Sequence, residues 1–258
     1  MNSRFEAWLD GAPLSSIAEE IYIRDIRHTP ASPQDTVSAY GGRDGGLLTR
    51  RYIGSAEVTI AFEIHAYGIE RRQEICDLIN AWALKGGYLT TNDKPDKRLN
   101  VVCSQPPAIE SALKWTDEVS LKFTAYALPY WEDLKPKKLT LTGTSASGSL
   151  KVNGYADRAY VTANVKVTGS SNLTTLTLTA GNTTITLDSL NLAQNSVIRL
   201  VYDDRHILSL LAGNTRISPK RTPESDDDLR LETGQNNTVT ISANTAVQAD
   251  FEARGLYM

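Results

Sequence analysis

Few residue types in this 258-residue chain are spaced for chemistry. Asp226-Asp227-Asp228 is the one acidic cluster, and three carboxylates together are a candidate cation site. Calcium loops, however, place their ligands at alternate positions around a glycine turn, and that spacing is absent. The three histidines, His28, His65 and His206, are scattered and have no i, i+4 partner for metal binding or acid–base work. Cys76 and Cys103 are too few for a disulfide framework or a thiolate site, and their apolar neighbours read as buried free thiols. Gly41-Gly42-Arg43-Asp44-Gly45-Gly46 is rich in glycine. It precedes a strand rather than a helix N-terminus, so it reads as a flexible turn and not a phosphate cradle. No GxSxG or HExxH motif is present. The pattern is not that of an enzyme, and no cofactor is implied.

The elements that would carry these residues fall into two halves. In residues 55–67, SAEVTIAFEIHAY, Val58, Ile60, Phe62, Ile64 and Ala66 alternate with Glu57, Thr59, Glu63 and His65. Period two marks a half-buried strand, here on the order of 40 Å long at ~3.3 Å per residue. In IERRQEICDLINAWALKGG the period changes. Ile75, Leu78, Ile79 and Trp82 form an apolar helical stripe, with Glu70 and Glu74 near its start, Lys85 in its last turn and Gly86-Gly87 as its stop. Strands are expected at Tyr88–Thr91 and Asn100–Ser104 across the turn NDKPDK, then at Ala108–Trp115 and Glu118–Tyr126. This half is an α+β arrangement, an antiparallel sheet system with one helix.

Pro129 to Asp133 marks a composition shift, and residues 135–138 read as an exposed linker between a domain at 1–134 and one at 139–258. Beyond it, runs such as VTANVKVTG, LTTLTLTAG, TTITLDSL, NTVTISA and VQADFEARG are short strands with turn signals, an all-β sandwich. Residues 214–229, NTRISPKRTPESDDDL, read as an exposed and mobile loop inside it.

Charge narrows the classes further. The 27 Lys and Arg against 30 Asp and Glu leave a formal charge of −3, with no basic run beyond Lys135–Lys138, which argues against a nucleic-acid binder. No segment approaches the ~20 apolar residues that span a bilayer, and the N-terminus carries no signal-peptide pattern, so synthesis in a cytoplasm is expected. Sugar sites usually stack a ring on Trp or Tyr. All four tryptophans precede the second half, whose candidate platform is Tyr155, Tyr160 and Tyr202, since Phe251 alternates like a core residue.

In order and spacing these segments resemble, over nearly the whole chain, the distal tail proteins of long, non-contractile-tailed phages. SIAEEIYIRDI is similar to that family's first strand, followed by the proline-containing loop TPASPQD. GGRDGGLLTRRYIGSAEVTIAFEIHA matches its glycine turn, basic residue and long strand, and LKFTAYALPYWED its domain-closing strand. SASGSLKVNGYADRAYVTANVKVTG, ETGQNNTVTIS and ADFEARGLYM resemble its galectin-like sandwich, with Gly234 and Asn236 before a strand. The loop at 214–229 is longer and more acidic than the family pattern.

The resemblance implies a tail-tube-like first domain that assembles head-to-tail into a hexameric ring, or stacked rings, with Arg43, Asp44, Arg50 and Arg51 at its interfaces. The implied partners are the tail tube protein, a tail-associated tip protein and receptor-binding proteins, as in a baseplate hub. DNA would pass the lumen without specific binding. Residues 1–134 hold 14 Lys and Arg against 19 Asp and Glu, consistent with a wall that does not grip DNA. The implied location is the distal end of the tail in a virion, from a virus or a prophage, assembled in the host cytoplasm. Two other readings stand beside it: a carbohydrate-binding adhesin acting through Tyr155, Tyr160 and Tyr202, and a major tail-tube subunit.

Overall fold

The computed structural model describes residues 5–39, 46–107, 117–203 and 207–258. It divides into one unit running to Trp131 and a second from Glu132 to Tyr257. The strand expected at Ala108–Trp115 lies outside the described residues.

In the first unit, β1 (Ala7–Leu9) and β2 (Ala12–Pro13) precede β3 (Ile21–Thr29), so the strand expected to be first is the third. A separate two-stranded sheet follows, β4 (Pro33–Ala39) with β5 (Gly46–Ile53), where a proline loop and a strand entry were expected. Then come β6 (Glu57–Ile64), α1 (Ile69–Ala83), β7 (Gly87–Thr91), β8 (Lys94–Gln105) and β9 (Asp117–Ala125). The main sheet runs in the order β2-β1-β7-β8-β9-β6-β3, with antiparallel pairing throughout that path.

The alternation in β6 is realised, with Val58, Ile60, Phe62 and Ile64 fully buried. The strand is shorter than expected, about 26 Å at ~3.3 Å per residue. Its ladder stops at Ile64, and the next amide, of His65, donates to the Glu20 carbonyl at 2.8 Å. Opposite β6, Val119, Leu121 and Phe123 of β9 present the same face. Each such aliphatic or aromatic side chain removed from water stabilises the unit by roughly 1.5–3 kcal/mol.

Helix α1 buries Arg72, Ile75, Cys76, Ile79, Trp82 and Ala83. Leu78, expected on this stripe, is 45% exposed because at 100° per residue it stands roughly a quarter-turn from the stripe's centre. Trp82 locks the helix down. Its ring meets Phe123 edge-on at 5.9 Å and its Nε1 donates to the Ala12 carbonyl at 3.1 Å. Gly86, at φ +63°, reverses the chain into β7. Lys85 falls beyond the helix rather than in its last turn.

The division falls within β10 (Trp131–Asp133). Asp133 belongs with the second unit's C-terminal segment: its amide donates to the Gly255 carbonyl at 3.0 Å, and its Oδ2 accepts from the Gly255 amide at 3.0 Å. Lys137 and Lys138, read as linker, already lie in β11 (Lys137–Lys151). There follow β12 (Arg158–Val167), β13 (Leu176–Ala180), β14 (Thr183–Leu187), β15 (Val197–Tyr202), β16 (Leu208–Ala212), β17 (Thr215–Arg216), β18 (Arg230–Glu232), β19 (Asn236–Ala253) and β20 (Leu256–Tyr257).

NTVTISA and VQADFEARG, expected as two strands, belong to the single 18-residue β19. Along one side β19 pairs with β11 over the full length of that strand. Along the other it pairs first with β13 and then with β12. Asn244 serves the exchange: its Oδ1 accepts from the amides of Thr174 and Thr175 at 2.8 and 3.0 Å, and its Nδ2 donates to the Asn172 carbonyl at 2.9 Å. Strands that turn corners in this way let one core be walled on several sides. Here that core runs from Leu150 and Val161 through Leu178 and Leu200 to Phe251.

The segment 214–229 is not a free loop. Besides β17 it holds a short 3-10 turn, Ser218–Lys220, and it buries Ile217 and Leu229. Its backbone returns along β14, with Thr222 N–H donating to the Thr186 carbonyl at 3.0 Å and Asp226 N–H to the Thr184 carbonyl at 2.9 Å. The polar sequence that suggests solvent is spent on hydrogen bonds to a strand edge.

Candidate functional site

Among the described residues, the β4–β5 hairpin gathers four exposed large apolar side chains on two strands. Its residues pair as Pro33–Ile53, Gln34–Tyr52, Asp35–Arg51, Thr36–Arg50, Val37–Leu48 and Ser38–Leu47, with a register shift after Thr36. Val37 is 61% exposed, Leu47 53%, Leu48 48% and Tyr52 51%. Cross-strand neighbours share a face, so Val37 and Leu48 stand together on one side and Tyr52 lies on the same side as Arg50. An isolated two-stranded hairpin is marginal in water, and one with apolar side chains on both faces needs a partner to cover it.

Charge organises the rest of the hairpin. Arg51 grips Asp35 with two bonds, Nε to Oδ1 at 2.7 Å and Nη2 to Oδ2 at 2.8 Å. The Arg51 guanidinium holds the Asp35 carboxyl below the usual carboxylate range. Arg50 lies 5.1 Å over the Tyr52 ring. Arg50 and Arg51, expected at an interface, are therefore on this hairpin, while Arg43 and Asp44 fall outside the described residues. At the hairpin's base a cleft of about 360 Å³ is lined by Gln34, Tyr52, Gly54, Tyr126 and Pro129 among others. Sequence reasoning missed Val37, Leu47, Leu48 and Tyr52. The adjacent pair Leu47-Leu48, which must face opposite ways in a strand, was the available signal.

Tyr160 and Tyr202 of the candidate sugar platform meet at 5.1 Å between ring centroids. Tyr155 is 77% exposed and packs edge-on against Tyr257 at 5.9 Å. The Tyr202 hydroxyl donates to the Leu229 carbonyl at 2.9 Å and accepts from the Leu229 amide at 2.8 Å. Burial pushes this phenol well above the ordinary tyrosine range. It holds the 214–229 segment in place.

The three aspartates do not converge. The Asp226 Oδ2 accepts from the Thr184 amide at 2.6 Å, Asp227 pairs with Arg221 at 3.0 Å and Asp228 with Arg230 at 3.0 Å. Among the described residues no group of three His, Cys, Asp or Glu side chains is placed to hold a metal ion. His28 Nε2 lies 2.6 Å from Asp93 Oδ2, and its ring meets Trp131 edge-on at 5.1 Å. Burial lowers the His28 pKa below the ordinary histidine value. His65 pairs with Glu63 at 2.8 Å on the exposed side, and His206 lies outside the described residues. Cys76 is buried, but Cys103 is only half-buried on β8, a correction to the expectation for both thiols.

The described residues thus form a small sheet-and-helix unit and an all-β unit, with exposed apolar side chains on the β4–β5 hairpin. Residues 17–125 match the family model described as a phage tail protein RIFT-related domain. Over the whole chain the fold is similar to the Dit protein of SPP1. The TM-score is 0.72 at 17% identity, covering 97% of this chain and 98% of that one. That protein is described as a paradigm of the hub adsorption apparatus in phages infecting Gram-positive bacteria. Chains of the phage P2 baseplate in its activated conformation are more distant. The calcium form gives a TM-score of 0.54 at 11% identity over 99% of this chain and 98% of that one, and the strontium form 0.50 at 10% over 97% of each. No curated protein sequence matches. The first unit thus carries a phage tail domain. Over the whole chain, the fold is that of SPP1 Dit.

Proposed function

We propose that six copies of this chain close into a ring that forms the hub of a non-contractile phage tail. The ring joins the tail tube to the tip and its receptor-binding proteins, at the distal end of the virion. The observation that carries the reading is the β4–β5 hairpin, whose Val37, Leu47, Leu48 and Tyr52 its own chain leaves exposed; in the ring a neighbouring copy covers them. Contacts of this head-to-tail kind close into rings when the rotation between neighbours allows it. The net negative charge of the first 134 residues suits a lumen through which DNA slides unbound. The second unit presents the surfaces on which other tail proteins dock.

The hairpin itself provides the test. Replacing Val37 and Leu48 together by aspartate removes the apolar pair without touching the core of either unit. The double variant is expected to keep the wild-type far-UV circular dichroism and to sediment as a monomer where the wild type is a ring. A variant that still forms the ring contradicts the role given to the hairpin.

A further inference from the structure

The C-terminal segment of the second unit is held by the short loop that follows β11. Tyr155 and Ala156 donate their amides to the Leu256 carbonyl at 2.8 and 3.2 Å, and the Val152 carbonyl accepts from the Gly234 amide at 2.8 Å. Between these anchors stand Asn153 and Gly154. Asn153 is exposed, and neither its side chain, its backbone nor the Gly154 amide makes a hydrogen bond among the described residues.

The residue after Asn153 has to be glycine. A Cβ at position 154 would stand 2.7 Å from the Leu256 carbonyl oxygen and 3.0 Å from the Leu256 nitrogen. The fold thereby imposes the one Asn-Gly step of the sequence, and places it in an exposed loop. Glycine leaves its own nitrogen unshielded and its backbone free to turn, so that nitrogen can reach the preceding side chain. Asn182 and Asn214, also exposed, are followed by the β-branched Thr183 and Thr215. The Asn153 backbone carbonyl meanwhile packs on Gly255. A Cβ there would meet the Asn153 oxygen at 2.0 Å and Asp133 Oδ2 at 2.6 Å, so the two oxygens are themselves near neighbours.

We propose that Asn153 is a site of spontaneous deamidation, and that its isoaspartyl product loosens the C-terminal segment. The Gly154 nitrogen attacks the side-chain carbonyl carbon of Asn153. The bond from that carbon to the side-chain nitrogen breaks, ammonia leaves with the Gly154 proton, and a five-membered succinimide remains. Water then adds to one of the two imide carbonyls. Opening at one gives an aspartyl residue; opening at the other gives an isoaspartyl residue, whose chain runs through the former side chain. In the isoaspartyl form the former backbone carbonyl becomes a free carboxylate beside the Asp133 carboxylate, and like charges repel. The added methylene also lengthens the loop between its anchors. The bonds placed under load are those from Tyr155 and Ala156 to Leu256 and those between Gly255 and Asp133. This inference concerns the second unit alone and does not require the ring.

The test incubates the full chain at mildly alkaline pH and follows residue 153 by peptide mapping with mass spectrometry. A gain of about one dalton should appear at Asn153 several times faster than at Asn214, and faster still as pH rises. Isoaspartyl methyltransferase should label the same peptide. Hydrogen exchange of the incubated chain should quicken at residues 155–156 and 255–257. Asn153→Gln keeps a neutral amide but would have to close a six-membered ring, so its mass and its exchange should hold. The proposal is overturned if Asn153 converts no faster than Asn214 or if the product carries no isoaspartyl linkage. Exchange that stays unchanged in the converted chain, or that quickens equally in Asn153→Gln, overturns it as well.

Discussion

Asp226 and Thr184 bind each other twice: the Asp226 carboxylate accepts the Thr184 amide at 2.6 Å, and the Asp226 amide donates to the Thr184 carbonyl at 2.9 Å. This reciprocal pair makes an acidic segment act as the missing neighbour of β14. Asp226→Ala leaves the Thr184 amide unsatisfied and is expected to cost about 1–3 kcal/mol in chemical denaturation. Faster hydrogen exchange should be confined to Thr184, Thr186 and the 220–226 segment. Unchanged exchange at Thr184 would contradict the covering role.

Asn244 is a second point where one side chain replaces strand pairing, with three hydrogen bonds to residues 172–175. Asn244→Ala strands two amides and a carbonyl where β19 exchanges neighbours. The three bonds are exposed, so water takes them over in part, and a loss of about 1 kcal/mol is expected. Asn244→Asp retains the two acceptor bonds and should lose less. Equal losses for the two variants would mean that the amide acceptors are not what Asn244 supplies.

Stability should depend on pH through His28. Its folded pKa is lowered, chiefly by burial, below the unfolded value of about 6.5. The unfolded chain therefore takes up a proton that the folded ring resists. This contribution to stability is fully present above the unfolded value and is lost as pH falls through the folded one. Denaturation midpoints between pH 8 and 5 should fall more steeply for the wild type than for His28→Gln. Parallel profiles would place the acid sensitivity elsewhere.

Trp82 joins α1 to β9 and to the segment before β3. Trp82→Phe keeps an aromatic ring against Phe123 but forfeits the bond to the Ala12 carbonyl. A loss of about 1–2 kcal/mol is expected, against roughly 3–5 kcal/mol for Trp82→Ala, which also leaves a cavity. Equal losses would show that packing against Phe123 contributes little.

What the sequence disclosed follows from where each segment finds its cover. The alternation in β6 and β9 was legible because those strands face their own unit's core, which writes period two into the residues. Helix α1 was legible for the same reason, apart from Leu78. The β4–β5 hairpin was hidden because Leu47 and Leu48 point to opposite sides and neither side meets own-chain core. The segment 214–229 misled because Asp226, Ser225 and Thr222, residues whose composition reads as solvent, hydrogen-bond the backbone of β14. The unbroken β19 was obscured by Asn244 and Thr245, turn-like residues held inside a strand by the bonds they make. No catalytic pattern announced the hairpin, whose only mark in the sequence is apolar residues that its own chain leaves exposed.

A closed ring of this chain has a mass of its own. The most direct measurement is the mass of the purified protein across a concentration range by light scattering, with negative-stain images of the same samples. Six copies of the 28.3 kDa chain should give a discrete species of about 170 kDa, seen as an open ring. A protein that stays at the mass of one chain at the highest concentration, and remains so when tail tube and tip proteins are added, would contradict it.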